Sequence, residues 1–195
     1  MAEGKYAPLP PVAEGQKTAI FAGGCFWCVE SDFDKVPGVI STTSGYTGGT
    51  IPRPSYKDVT YKDTGHYEAV AVVYDPEKVS YDALLTAFWH SVDPTDAGGQ
   101  FCDRGESYRT AIFVSPEQRA AAEASKTATD AGEWPKKPIV TPILDAAEFY
   151  PAESYHQDYY TKNPIRYSYY RNGCGRDKKV KEVWGPLAFE GIPKS

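Results

Sequence analysis

Residues 18–28 read Thr18-Ala19-Ile20-Phe21-Ala22-Gly23-Gly24-Cys25-Phe26-Trp27-Cys28. The apolar run 18–22 predicts a short buried strand. Two glycines then turn the chain. Phe26, Val29, Phe33 and Val36 follow at roughly helical spacing, which predicts an amphipathic helix. Cys25 is therefore expected at a strand-to-helix turn, in or just before the first helical turn. Free backbone N–H groups and the positive end of the helix dipole favour an anion there. A free thiol titrates near pH ~8.5, and such a position lowers that value, giving a nucleophilic thiolate. The rings of Phe26 and Trp27 beside it suggest a pocket for a small apolar group.

Outward from this stretch, strands and helices alternate. Strands are expected over 39–46, 67–74, 110–114 and 139–144. Helices are expected over 81–90 with Ser80 as cap, from Pro116 to about residue 131, and over 152–160. Ser55 caps a short helix through Val59, after a proline-bearing loop. Residues 93–106 form a polar loop long enough to suggest function. Beyond Pro164 the chain turns to Tyr, Arg and Gly, and an irregular, surface-wrapping tail over 164–195 is expected to carry Cys174. The pattern predicts an α/β fold of the two-layer α+β kind, with a mixed sheet and packed helices. Residues 18–195 are expected to form one catalytic domain behind a flexible segment, 1–17.

Composition narrows the function. The chain has 195 residues and an apolar share of 41%, enough for one domain with a real core. Net charge is −5 with no basic cluster, which argues against nucleic acid as a partner. No apolar run approaches the ~18 residues of a transmembrane helix. The polar, proline-rich 1–17 lacks the apolar stretch of a signal peptide, so a cytoplasmic protein is expected. Four cysteines at irregular spacing do not make a disulfide scaffold and fit an enzyme that uses thiols. Met1 is the single methionine, a composition that suits a protein meeting oxidants.

Cys25 and Cys28 admit other readings. As half of a zinc site they would need a second close pair of ligands, but Cys102 and Cys174 stand alone and His66, His90 and His156 make no paired spacing with them. As inert buried thiols they would be oddly placed beside two glycines at a helix start. As a thioredoxin-like C-x-x-C they would exchange protein disulfides. The rest of the chain bears on this choice. Glu68 stands near the start of a strand, where an apolar pocket would raise its pKa and make it a proton donor. Asp103 and Tyr108 close the 93–106 loop and are placed to hydrogen-bond a polar ligand. His156 reads as a structural histidine. Cys174, bracketed by Gly173 and Gly175, is a mobile thiol of the kind that disulfide exchange requires.

Together these residues resemble the A-type peptide-methionine (S)-S-oxide reductases. The resemblance spans about residues 18–170. Its motifs are Gly24-Cys25-Phe26-Trp27, Tyr56, Thr64-Gly65-His66-x-Glu68, Tyr74-Asp75-Pro76, Asp93-Pro94-Thr95, Asp103-Arg104-Gly105-x-x-Tyr108-Arg109 and Ala152-Glu153-x-Tyr155-His156-Gln157. It implies that Cys25 attacks the sulfur of methionine sulfoxide, free or in oxidised proteins. It implies that Phe26 and Trp27 hold the S-methyl group, while Glu68, with Tyr56, Asp103 and Tyr108, binds and protonates the oxygen. Cys25 would become a sulfenic acid, which condenses with a thiol. Thioredoxin is the implied reductant, in a monomer that needs no cofactor or metal. Cys28 stands where the commoner family pattern has glycine, so both Cys28 and Cys174 are candidates for the resolving role. Cys102, beside Asp103, has no counterpart in many members, and the order of disulfides stays open. The competing readings are a dithiol–disulfide oxidoreductase, which leaves Glu68 and the tyrosines idle, and a metal-bearing interaction module, which leaves both unused.

Overall fold

Phe21 shows why the 18–28 stretch organises the protein. In the computed structural model, which describes residues 5–194, its ring stacks on Phe33 at 4.9 Å and on Phe88 at 5.1 Å. These three rings join the strand β1 (Lys17–Gly23) to two helices, α1 (Phe26–Asp34) and α3 (Tyr81–Trp89). The other elements are β2 (Val39–Thr47), α2 (Tyr56–Tyr61), β3 (Tyr67–Tyr74), β4 (Gly99–Gln100), β5 (Asp103–Arg104), β6 (Thr110–Val114), α4 (Arg119–Asp130), β7 (Ile143–Asp145), β8 (Tyr150–Pro151), α5 (Tyr159–Lys162), α6 (Pro164–Cys174) and α7 (Arg176–Trp184).

Among the described residues, six strands form one sheet in the order β7-β6-β1-β3-β2-β8. β6 and β7 run parallel and every other neighbouring pair is antiparallel, so the sheet is mixed, as expected. The valine-rich β3 is central and wholly buried. Its residues alternate between two faces. Val70, Val72 and Tyr74 join the main core with Phe26, Val29, Phe33, Leu84 and Phe88, while Tyr67 and Ala69 meet Ala111 and Phe113 on the other side. Glu68 falls on the first of these faces, opposite Tyr46 of β2.

Several expected elements change. The strand over 139–144 shortens to Ile143–Asp145, because Pro142 has no N–H to give a ladder. The helix expected from Pro116 starts at Arg119, after Ser115 and Gln118 exchange side-chain bonds to each other's backbone N–H. The helix expected over 152–160 is replaced by a single 3-10 turn, Ser154–His156, and the short α5. Backbone groups there are spent elsewhere: Ala152 N–H donates to Ser44 O and Glu153 bridges to Tyr6. The same bridge, with Ala7 N–H donating to Ala152 O, anchors the described part of the 1–17 segment.

The largest correction concerns 164–195. An irregular tail was the expectation, and α6 and α7 occupy most of it. Pro164 starts α6 at a position that needs no N–H donor. Gly175, at φ +73°, ends it in a conformation costly for other residues. Tertiary contacts then hold a sequence with little helical pattern of its own. Val180 and Trp184 are fully buried, and Trp184 Nε1 donates to Val92 O at 2.8 Å. Arg171 reaches Asp32 of α1 at 2.8 Å. Because α5, α6 and their loops cover the outer side of α1, Glu30 and Asp32 are buried beside its apolar stripe.

Candidate active site

The site begins where β1 hands over to α1. Gly24 has φ +84°, and a Cβ there would stand 2.6 Å from Gln100 Cβ, so only glycine makes this turn. Cys25 is the N-cap residue of α1 and accepts no side-chain capping bond. The first-turn N–H of Phe26 donates instead to Glu68 Oε2 at 3.0 Å. Helix start and central strand thus bring Cys25 and Glu68 together from positions far apart in sequence.

Glu68 is 2% exposed. Burial pushes its carboxyl up to about 8; the Phe26 N–H pulls the other way and the negative Asp103 adds to the rise. Tyr108 also hydrogen-bonds this carboxyl, and its hydroxyl lies 3.4 Å from that of Tyr56. The Tyr170 hydroxyl donates to Asp103 Oδ2, and burial raises the Asp103 carboxyl as well. Two carboxyl groups and three tyrosine hydroxyls therefore gather at the start of α1.

Cys25 is 7% exposed and Cys28 1%. Their thiols are hydrogen-bonded to each other. The expectation of a lowered Cys25 pKa is corrected. Burial, then the Cys28 contact and the charges of Glu68 and Asp103, push the Cys25 thiol well up. The helix start is present, but its nearest N–H is spent on Glu68. Burial pushes the Cys28 thiol up too, yet the bond from Cys25 and the guanidinium groups of Arg176 and Arg171 outweigh it and bring it down.

The aromatic side is built around His156. Trp27 Nε1 donates to His156 Nδ1 at 3.0 Å, which leaves the neutral ring its proton on Nε2, a buried atom with no partner among the described residues. Burial lowers this histidine to about 4, so it stays neutral. Its ring lies 4.9 Å from those of Phe26 and Tyr56. Trp27 stacks on Tyr159 at 3.7 Å and meets Tyr170 edge-on at 5.7 Å. Trp27 is half-buried, whereas Phe26 is sealed at 1% exposure.

All nine residues singled out from the sequence can now be placed. Cys25, Phe26, Trp27, Cys28, Tyr56, Glu68, Asp103 and Tyr108 converge around the start of α1. Cys174 stands apart from Cys25 and Cys28: it ends α6 and is joined by a disulfide to Cys102, with Cα atoms 5.1 Å apart. The mobile tail thiol of the sequence reading is thus a helical residue in a bond. Cys25 and Cys28 are free. Tyr159, Tyr170 and the His156 contact to Trp27 were missed. His156 lay inside a quoted motif, but its partner could not be read from spacing; for Tyr170 the one signal was its helical spacing to Tyr167 and Cys174.

Among the described residues, two clusters have the donors to hold a metal ion. Cys102, Asp103 and Cys174 are committed to the disulfide and to Tyr170. Glu30, Asp34 and Asp158 are bridged by Thr42, Ser44, Tyr160 and the Asp158 N–H.

Residues 17–187 match the family model for peptide methionine sulfoxide reductase. Peptide methionine sulfoxide reductase MsrA 2 of Caulobacter vibrioides is 56% identical over 169 residues, covering 87% of this chain and 86% of that protein. The reduced form of Mxr1 from Saccharomyces cerevisiae superposes with a TM-score of 0.74 at 30% identity, covering 80% of this chain and 90% of that one. Mxr1 in complex with Trx2 shares the fold at a TM-score of 0.55 and 21% identity, covering 77% and 89%.

Proposed function

The chain belongs to the peptide methionine sulfoxide reductase family, and from that premise we propose that Cys25 and Glu68 act together on the S epimer of methionine sulfoxide. The protein is an enzyme that reduces methionine sulfoxide by thiol–disulfide chemistry. The observation that carries the proposal is the Cys25 thiol and the proton-bearing Glu68 carboxyl gathered under one helix start. Glu68 gives its proton to the sulfoxide oxygen, with Tyr56, Asp103 and Tyr108 holding that oxygen. The Cys25 sulfur attacks as its thiol proton passes to Glu68 in place of the one donated, the sulfur–oxygen bond of the substrate breaks with the hydroxyl passing to Cys25, methionine leaves, and Cys25 becomes a sulfenic acid. Phe26 and Trp27 receive the methyl group, Trp27 being fixed by His156 and Tyr159.

Cys28 condenses with the sulfenic acid, expelling water, and Cys174 then exchanges onto that disulfide. The thiol contact between Cys25 and Cys28 supports the first step. Substrates are oxidised proteins and free methionine sulfoxide, and thioredoxin restores the thiols; the complex of Mxr1 with Trx2 supports that choice. Residues 18–195 act as one catalytic domain, and the protein acts as a monomer. A cytoplasmic location belongs to the same proposal, since thioredoxin-type reductants keep thiols reduced there. Among the described residues, no helix is long and apolar enough to cross a membrane.

A reductant-free single turnover tests this reading. Fully reduced enzyme with Cys28 and Cys174 replaced by serine, which blocks internal exchange, and a peptide of resolved methionine S-sulfoxide should yield methionine and a sulfenic acid or disulfide at Cys25. Methionine release from that variant with Cys25 still free to alkylate would sink it.

A further inference from the structure

We propose that Cys102 is a further resolving cysteine, which takes the oxidising equivalents from Cys174 and carries them to the surface for an external dithiol. The proposal rests on the reading of Cys25 as the nucleophile.

Access is the first argument. A dithiol must bring its sulfur in line with the disulfide it reduces. Cys25 and Cys28 lie beneath Tyr167, with Trp27, Tyr159, Tyr160 and Tyr170 packed around them. Neither offers a protein reductant a path. Cys102 is exposed and Cys174 half-buried.

Placement is the second. Tyr167, Tyr170 and Cys174 fall at i, i+3 and i+7, one stripe of α6. Tyr167 packs on the buried thiols. Tyr170 binds Asp103, the residue next to Cys102. The stripe leads from the buried pair to Cys174, and Cys102 stands at its end, its backbone N–H donating to Cys174 Sγ at 3.1 Å. Tyr167 and Cys174 are about 10 Å apart along the helix axis at 1.5 Å per residue. Gly173 and Gly175 bracket Cys174 and let this last turn unwind inward and return.

The step is a thiol–disulfide exchange. The Cys102 thiolate attacks Cys174 in the mixed disulfide that joins Cys174 to Cys28. The Cys102–Cys174 bond forms, the Cys28–Cys174 bond breaks, and Cys28 leaves as a thiolate that takes up the proton Cys102 lost. Two electrons pass from the Cys102 and Cys174 thiols to the buried pair. The dithiol thioredoxin then reduces Cys102–Cys174 and becomes a disulfide itself. The observed pairing, Cys102–Cys174 joined with Cys25 and Cys28 free, is the state expected after the last internal exchange.

The test is a time course on fully reduced protein given one equivalent of a methionine S-sulfoxide peptide without reductant, then quenched, alkylated and peptide-mapped. The expected end state is a Cys102–Cys174 bridge with Cys25 and Cys28 alkylated. Cys102→Ser should stop at Cys174 bridged to Cys25 or Cys28 and lose sustained turnover with thioredoxin. Cys25→Ser given the same peptide should form no Cys102–Cys174 bridge. Methionine release with Cys102 left alkylatable would overturn the proposal. So would a bridge that forms equally fast in Cys25→Ser, the mark of a structural disulfide. No methionine from the wild type would overturn the reading of Cys25, and this proposal with it.

Discussion

The two cysteine pairs of this enzyme sit in opposite surroundings. Cys25 and Cys28 are sealed beneath aromatic rings and share a hydrogen bond. Cys102 and Cys174 lie at the end of α6, bonded to each other, with Cys102 open to solvent. The difference separates two demands that one thiol pair cannot meet. Reduction of a sulfoxide needs a dry site, where Glu68 keeps its proton at neutral pH. Renewal of the thiols needs a sulfur that another protein can touch. The buried pair suits the chemistry and the surface pair suits the delivery.

The comparison breaks most sharply at Cys25. Cys25→Ser should remove both steady turnover and the first release of methionine, because serine supplies no thiolate and cannot store the oxygen as a sulfenic acid. Quantifying methionine in a single turnover checks it. If the serine protein still released one equivalent, the nucleophile would lie elsewhere and the buried pair would lose its distinct role.

Glu68 comes next. Glu68→Gln keeps the shape and can still accept from Phe26 N–H but brings no acidic proton. It should slow the reductive step by a factor of about 10²–10⁴, the usual worth of general acid catalysis. The pH dependence has a definite sign. The carboxyl, raised to about 8, is neutral below that value and ionised above it. Wild-type single-turnover rates should therefore fall as pH rises past about 8, and Glu68→Gln should lack that decline. An unchanged rate in the variant would pass the role to Tyr56 or Tyr108.

How far the sequence disclosed all this depends on which contacts are local. Phe26, Val29 and Phe33 announced α1 by spacing, and the apolar run before them announced β1. Both sit in one continuous core, so pattern and structure agree. Glu68 was legible as a polar residue opening an apolar strand. Cys102–Cys174 was not, because the bond joins residues 72 apart and nothing in their spacing foretells it. α6 was missed for the same reason. Its sequence, Pro-Ile-Arg-Tyr-Ser-Tyr-Tyr-Arg-Asn-Gly-Cys, has one buried residue, Tyr167, and is held by distant partners such as Asp32 and Asp103. Burial also reversed the reading of the Cys25 thiol, since a helix start alone does not reveal what carboxylates will stand beside it.

Arg171 ties α6, the helix that ends at Cys174, to α1, the helix that carries Cys28. Its side chain, 11% exposed, bonds Asp32, which is 3% exposed, and its charge helps to lower the Cys28 thiol. Arg171→Gln strands a buried carboxylate, a loss of about 3–5 kcal/mol for pairs of this kind. Urea unfolding reads that loss from the midpoint at unchanged slope. Cys28 should also alkylate more slowly at a fixed neutral pH, because its thiol pKa rises without the guanidinium. An unchanged midpoint would show that the helical wrap does not hold the buried pair, and unaltered Cys28 reactivity would show that it does not tune it.

The smallest expected effect concerns the hand of the substrate, and it asks what the sealed site gains beyond dryness. A sulfoxide sulfur carries an oxygen, a methyl, a methylene and a lone pair. In the proposed binding mode, with the oxygen among Glu68, Tyr56 and Tyr108 and the methyl against Phe26 and Trp27, one hand alone would present its sulfur to Cys25. The other hand must exchange methyl for oxygen and place a polar atom among rings without a hydrogen bond. An unpaired polar group of this kind costs about 1–3 kcal/mol, or about 5–150-fold in rate, before any loss of attack geometry. The S epimer should therefore be reduced and the R epimer left nearly untouched. Trp27→Ala should weaken binding of the S epimer, because the methyl loses a wall that His156 and Tyr159 hold in place. Supplying each resolved epimer separately to both proteins measures the ratio. Comparable wild-type rates on both, or a preference for R, would mean that the aromatic wall does not choose the hand.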